Sequence, residues 1–293
     1  MTAAVKTIVA TGLSSGLGFE ALKQLLQQSQ AYKIILGARN TQSATAAIDA
    51  IDYDKSASKV TVLPLELSDL NTVKSFSAKT LDLLGQEKLD YLYMNAGLSK
   101  NGTQPAPNGS KWCETLVVNH ISQHYLVHLL REKLVSSQSR LIFVSSGAIR
   151  NVPDTSLLEK NLTAPSDTDQ LVIYANSKFV QYLAAHWWRR QLAGQCRVVA
   201  VSPGFIPNTG LSRHGPPGML PNVPDAKSNA EGGANVNAAL FRDDFPEDPE
   251  QIFLTSWGEW WPKDVYTNAL DEELQNKWCL SKEEIEKTEG VTA

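Results

Sequence analysis

Short apolar runs recur along the first two-thirds of the chain, each followed by a longer segment in which apolar positions return every three or four residues. VKTIVAT (5–11), KIILGA (33–38), VTVLPLEL (60–67), LDYLYMN (89–95), RLIFVSS (140–146) and CRVVAVS (196–202) are apolar at successive rather than alternate positions. That is the pattern of strands buried on both faces of a parallel sheet. Helical periodicity fills the intervals at Phe19–Gln28, Thr41–Asp52, Leu70–Leu84, Trp112–Val135 and Leu171–Leu192. Repeated βα units with right-handed crossovers close into a doubly wound α/β sheet of the Rossmann type. A seventh parallel strand is expected at QIFLTS (251–256), and charged helical patterns follow at 264–277 and 281–287.

After Pro203 the rhythm breaks. Residues 204–235 are rich in Gly, Pro and Asn, with PGFIPNTG and HGPPGMLPNVP as strong breakers. A chain of 293 residues has room for two domains, but this stretch is too interrupted to build a second core. The expected organisation is therefore one domain over residues 1–293. Its cofactor-binding and catalytic core is residues 5–203, a substrate lid is residues 204–245, and the last strand with C-terminal helices is residues 246–293.

Composition narrows the function classes. Lys and Arg total 27 against 31 Asp and Glu, with no basic run, which argues against a nucleic-acid partner held through phosphates. No stretch approaches the roughly 18–20 unbroken apolar residues of a membrane helix, so no membrane anchor is expected. Cys113, Cys196 and Cys279 are far apart and odd in number, which suits a reducing compartment. A cytoplasmic enzyme is the expectation.

Three constellations carry chemistry. Thr11-Gly12-Leu13-Ser14-Ser15-Gly16-Leu17-Gly18 lies between the first strand and the first helix, where glycines let the backbone approach a pyrophosphate at a helix N-terminus. Ser14 and Ser15 add hydroxyl donors. Arg39 directly follows the second strand, where an acidic residue would select a ribose 2′-hydroxyl and an Arg a 2′-phosphate. That choice favours NADP(H). Tyr174-Ala-Asn-Ser-Lys178 sets a phenol and an ammonium on one helical face, an arrangement expected to lower the tyrosine pKa toward the working range. Ser146 is expected at the carboxyl end of the fifth strand, where active sites of open α/β sheets lie.

In order along the chain, TGLSSGLG, MNAG (94–97), Asn119, FVSS (143–146), YANSK and SPG (202–204) resemble the short-chain dehydrogenase/reductase family. The resemblance spans about residues 5–210. Within the family, VVNHISQHYLVHLL (117–130), SPGFIPNTGL (202–211) and the QIFLTSWGEWWP tail are most similar to the retinol dehydrogenase and protochlorophyllide reductase branch. It implies that Gly12, Ser14, Ser15, Gly16, Leu17 and Gly18 hold the pyrophosphate and Arg39 the 2′-phosphate. Glu66, Leu67, Asn95, Ala96 and Gly97 would line the adenosine side, and Pro203, Gly204, Ile206 and Thr209, with Asn208, the nicotinamide side. Tyr174 is implied as acid/base, Lys178 as the group that bonds the nicotinamide ribose and depresses the tyrosine pKa, Ser146 as the group orienting the substrate oxygen, and Asn119 as the holder of a relay water. The substrate would be a small carbonyl or alcohol compound, apolar or like a secondary metabolite. Two other readings use the same pocket: a non-redox cyclase or isomerase, and a redox-sensing binding protein.

The chain departs from the family pattern at Glu66, where Asp is expected, and in the 28 residues (174 − 146) separating Ser146 from Tyr174. The extra segment, Asn151–Asp169, is expected to form a loop near the substrate. Phe205 stands where protochlorophyllide reductases carry a cysteine, which argues against photochemistry. Elsewhere, His120, His124 and His128 form a stripe at helical spacing that reads as packed or interfacial histidines rather than a metal site. Trp187 and Trp188 suit either a homodimer contact or packing within the fold, and Trp257, Trp260 and Trp261 either close the fold or cover the pocket.

Overall fold

The computed structural model describes residues 4–207, 211 and 226–292. Seven strands form one parallel sheet in the order β3-β2-β1-β4-β5-β6-β7. They are β1 (Lys6–Thr11), β2 (Tyr32–Ala38), β3 (Lys59–Pro64), β4 (Tyr91–Met94), β5 (Arg140–Val144), β6 (Arg197–Val201) and β7 (Phe253–Leu254). The chain starts in the middle of the sheet, winds out to β3, then returns through β4 to the other edge. The carboxyl ends of β1 and β4 therefore flank the crevice where the winding reverses.

Helices cover both faces. On one face are α1 (Gly16–Leu26) and α2 (Thr41–Asp49), packing with Ile8, Ala10, Ile34, Leu36 and Tyr93. On the other face are α3 (Leu70–Leu84), the composite helix α4 and the long α6 (Gln170–Gln191), which pack with Val9, Ile35, Leu92 and Phe143. Helix α4 runs through Glu114–Leu116, a π-helical stretch Val117–Ile121, and Ser122–Ser137.

Several boundaries differ from the sequence reading. β3 ends at Pro64, so Leu65–Leu67 lie beyond the strand; this edge strand is only half-buried. β5 ends at Val144, and Ser146 caps a 3-10 turn, Gly147–Asn151, instead of closing the strand. β7 shrinks to two residues. The Asn151–Asp169 insert is not all loop: it contains a 3-10 turn (Thr155–Leu157) and a short helix, α5 (Leu158–Leu162), anchored by buried Leu158 and Leu162.

The largest revision concerns residues 204–245. Residues 208–210 and 212–225 lie outside the described residues, but α7 (Asn229–Phe241) is a helix on the sheet, not part of a lid. Ser228 and Glu231 form a reciprocal capping box at its start. Gly232 lets it approach closely, since a Cβ there would lie 2.6 Å from Ile206 Cδ1 and 2.8 Å from Leu17 Cδ1. Buried Asn237 replaces apolar packing with hydrogen bonds, accepting from the Tyr93 hydroxyl at 3.2 Å and donating to the Ala21 carbonyl at 2.9 Å.

The C-terminal segment carries α8 (Glu272–Trp278) and α9 (Lys282–Thr288). It docks on the histidine stripe: His120 Nε2 meets the Trp278 carbonyl at 2.9 Å, and His124 Nε2 meets the Leu280 carbonyl at 2.9 Å. Trp188 Nε1 donates to His124 Nδ1 at 2.8 Å, which leaves Nε2 as the protonated nitrogen of a neutral ring. Burial holds His120 down at about 4 and His124 well below the ordinary histidine value. The stripe and the fully buried Trp188 thus belong to internal packing.

Candidate active site

A cavity of about 620 Å³ runs along the carboxyl ends of the strands, from Arg39 after β2 to the turn after β5. Of the residues singled out in the sequence, Gly12, Ser14, Ser15, Gly16, Leu17, Gly18, Arg39, Glu66, Leu67, Asn95, Ala96, Gly97, Ser146, Tyr174, Lys178, Pro203, Gly204 and Ile206 line it. Thr209 and Asn208 lie outside the described residues. Asn119 is fully buried and is not part of the wall.

The glycine loop owes its shape to contacts no side chain could share. A Cβ on Gly12 would lie 2.5 Å from Ala96 Cα, and one on Gly18 would lie 2.1 Å from the Gly12 carbonyl oxygen. Asn95 Nδ2 donates to that same carbonyl at 2.7 Å, tying the loop to the end of β4. Ser15, the N-cap of α1, makes no side-chain capping bond, so first-turn amides keep their donors for a ligand. Together with the positive end of the helix dipole, this is an anion cradle that fits a pyrophosphate. Arg39 is exposed at the rim and makes no hydrogen bond or ion pair among the described residues. A free guanidinium suits a phosphate on the ribose, so the residues present fit a dinucleotide carrying one.

At the other end, α6 presents Tyr174 and Lys178 four residues apart. Asp169 starts the helix by accepting from the Leu171 amide at 2.8 Å, and Gln170 Nε2 binds the Ser99 carbonyl at 3.0 Å. Burial pushes the Tyr174 phenol pKa up to about 12, opposed by the neighbouring Ser146 hydroxyl, which pulls it down. Lys178 does not lower it as the sequence suggested. Its ammonium is 3% exposed and donates to the Val144 carbonyl at 2.8 Å and Gln181 Oε1 at 3.1 Å. Burial lowers its pKa to about 7.

The side chain of Asn119 is held by three hydrogen bonds. Its Oδ1 accepts from the Leu98 amide at 2.7 Å, while Nδ2 donates to the Leu98 carbonyl at 2.8 Å and to Ser177 Oγ at 2.9 Å. Ser177 Oγ in turn donates to the Tyr174 carbonyl at 2.8 Å. With its side chain committed, Asn119 clamps the loop after β4 to the turn of α6 that carries Tyr174. The wall also includes residues the sequence reading passed over, among them Leu98, Val118, Arg150, Gln170 and Leu171. Gln170 and Leu171 follow from the helix start that carries Tyr174; nothing in the sequence pattern marked Arg150.

The family described as short chain dehydrogenase matches residues 6–156. A short-chain dehydrogenase/reductase of Pestalotiopsis microspora is 55% identical over 284 residues, covering 96% of this chain and 98% of that protein. A dehydrogenase/reductase SDR family member of Bos taurus is 31% identical over 74% of this chain and 55% of its own length. Among solved structures, an NADPH-bound carbonyl reductase from chicken fatty liver superposes with a TM-score of 0.68 at 19% identity, over 88% of this chain and 99% of the other. A short chain dehydrogenase of Burkholderia cenocepacia in complex with NADP gives 0.60 at 19% identity, over 96% and 100%.

Proposed function

The chain belongs to the short-chain dehydrogenase/reductase family of oxidoreductases, and from that premise we propose that it is an NADP(H)-dependent enzyme interconverting a carbonyl and an alcohol. The observation that carries this reading is one cavity with two ends: Arg39, unpaired among the described residues, beside the glycine cradle, and Ser146, Tyr174 and Lys178 together on the far wall. When bound, the reduced nicotinamide supplies hydride to the carbonyl carbon. The structural relatives named as NADPH- and NADP-bound support the choice of cofactor.

The chain's own residues handle the oxygen. With its pKa near 12, Tyr174 is fully protonated at neutral pH and acts as general acid, giving its proton to the carbonyl oxygen as negative charge develops there. Ser146 lies on the same wall and donates a hydrogen bond to that oxygen, fixing it against the phenol. Lys178 is part protonated near neutrality; one turn along α6 on the same cavity wall, its ammonium would donate to the nicotinamide ribose and hold the cofactor beside Tyr174. The substrate body rests on the apolar part of the wall, including Leu98, Val118, Leu171 and Phe205.

The test is NADPH oxidation by purified protein across a panel of aldehydes and ketones, against NADH. Carbonyl-dependent oxidation of NADPH with matching alcohol formation supports the reading. Tight NADPH binding with no carbonyl reduced across the panel would count against it.

A further inference from the structure

Among the described residues, two arginines line the cavity, Arg39 after β2 and Arg150 in the turn after β5. Arg140, Arg189, Arg190 and Arg242 each lie within ion-pair distance of a carboxylate. Neither cavity arginine does among the described residues. In the observed strand order β2 and β5 are three steps apart, about 14 Å at about 4.8 Å per step. The cofactor reading accounts for Arg39 and not for Arg150, which lies on the same short turn that Ser146 caps.

Arg150 is also held in place. Its Nε donates to the Gly147 carbonyl at 3.1 Å, and its guanidinium sits 5.0 Å from the centre of the Trp261 ring. Trp261 is itself stacked on Phe253 of β7, with centroids 4.4 Å apart and planes at 14°. Gly147 leaves the space: a Cβ there would be 3.4 Å from Arg150 Nη2. The terminal nitrogens have no acceptor among the described residues. The two carboxylates of the cavity wall are engaged elsewhere: Glu114 pairs with Lys100 at 2.6 Å, and Glu66 accepts from the Ser68 amide at 3.1 Å. A guanidinium fork stacked on an aromatic face with both arms free is preorganised for bidentate carboxylate recognition.

We propose that Arg150 binds a carboxylate of the substrate, so that the enzyme takes carbonyl compounds bearing an acid group close to the reacting carbon. This deepens the carbonyl-reductase reading and rests on it. Trp261, singled out in the sequence without an assigned role, becomes the platform that orients the arginine.

The experiment compares benzoylformate and benzoylpropionate, each with its methyl ester, as substrates with NADPH for the wild type, Arg150→Met and Arg150→Lys. The wild type is expected to prefer at least one acid over its ester by at least about tenfold in kcat/KM, mostly through KM. Arg150→Met is expected to lower the acid's kcat/KM by roughly 10- to 100-fold more than the ester's, the scale of a lost charge-assisted hydrogen bond. Arg150→Lys restores charge without the fork and recovers part of it. Equal use of acid and ester by the wild type, or an acid preference that survives Arg150→Met, overturns the proposal. If none of these compounds consumes NADPH, benzoylformate binding in the presence of NADP is followed instead by quenching of tryptophan fluorescence. Binding lost in Arg150→Met then supports the carboxylate site independently of turnover, and binding absent from the wild type or unchanged in the variant overturns it.

Discussion

The ammonium of Lys178 donates to the carbonyl of Val144 at 2.8 Å, joining α6 to the end of β5 with the side chain almost wholly buried. Holding a cation there is costly, and burial brings the lysine pKa from 10.5 to about 7. Between those values the unfolded chain binds a proton that the folded chain does not, so stability rises with pH across this window and is lowest below it. Lys178→Met removes the titrating group. The melting temperature of the cofactor-free wild type should climb from about pH 7 to about pH 10 more steeply than that of the variant, as differential scanning fluorimetry would measure. Equal slopes would mean that Lys178 does not titrate in this range.

Tyr174 is the proton donor in this account. Tyr174→Phe keeps the ring and removes only the hydroxyl, so carbonyl-dependent NADPH oxidation should fall by roughly 10²- to 10⁴-fold. NADPH affinity, measured by nicotinamide fluorescence, should stay within about threefold, because the cradle for the cofactor's phosphates lies at the other end of the cavity.

In this account Arg39 is the group that selects NADP(H) over NAD(H). Arg39→Ala should weaken NADPH binding by roughly 10- to 100-fold, the loss of a charge-assisted contact to phosphate. NADH binding should be nearly unaffected. Isothermal titration with both nucleotides reads the difference, and a parallel loss for both would remove Arg39 from the role.

Gly18→Ala tests the loop itself. Its Cβ would meet the Gly12 carbonyl at 2.1 Å and Asn95 Nδ2 at 2.4 Å, so backbone must move. A destabilisation of about 1–3 kcal/mol is expected for such overpacking, seen as a lowered urea midpoint for the cofactor-free protein. An unchanged midpoint would show that the loop and β4 can part without cost.

Much of the fold could be read because its strands are buried on both faces and leave near-continuous apolar runs. Most motif residues gathered on one cavity for the same reason: apart from Tyr174 and Lys178 on α6, they sit just past the carboxyl end of a strand whose position was legible. Helix α7 escaped because NAEGGANVNAALF carries few apolar side chains and makes up the difference with Gly232 and Asn237, even though Ser228 and Glu231 stood at capping-box spacing. The partners of Lys178 and Asn119 could not be read, since spacing along a helix says which residues share a face but not which backbone carbonyl each will meet. Arg150 was invisible for a different reason. An arginine in GAIRN is ordinary until Trp261, more than a hundred residues later, is found beneath it.

The central claim is that hydride moves between the nicotinamide and a carbonyl carbon while Tyr174 moves the proton. It is tested most directly by incubating the protein with a series of aldehydes and ketones and NADPH deuterated at the transferable position, then locating the label by mass spectrometry. One deuterium on the carbinol carbon for each NADPH oxidised, with the product absent in Tyr174→Phe, is the expected result. Product that forms without label while NADPH is recovered intact would contradict it and assign the pocket to non-redox chemistry.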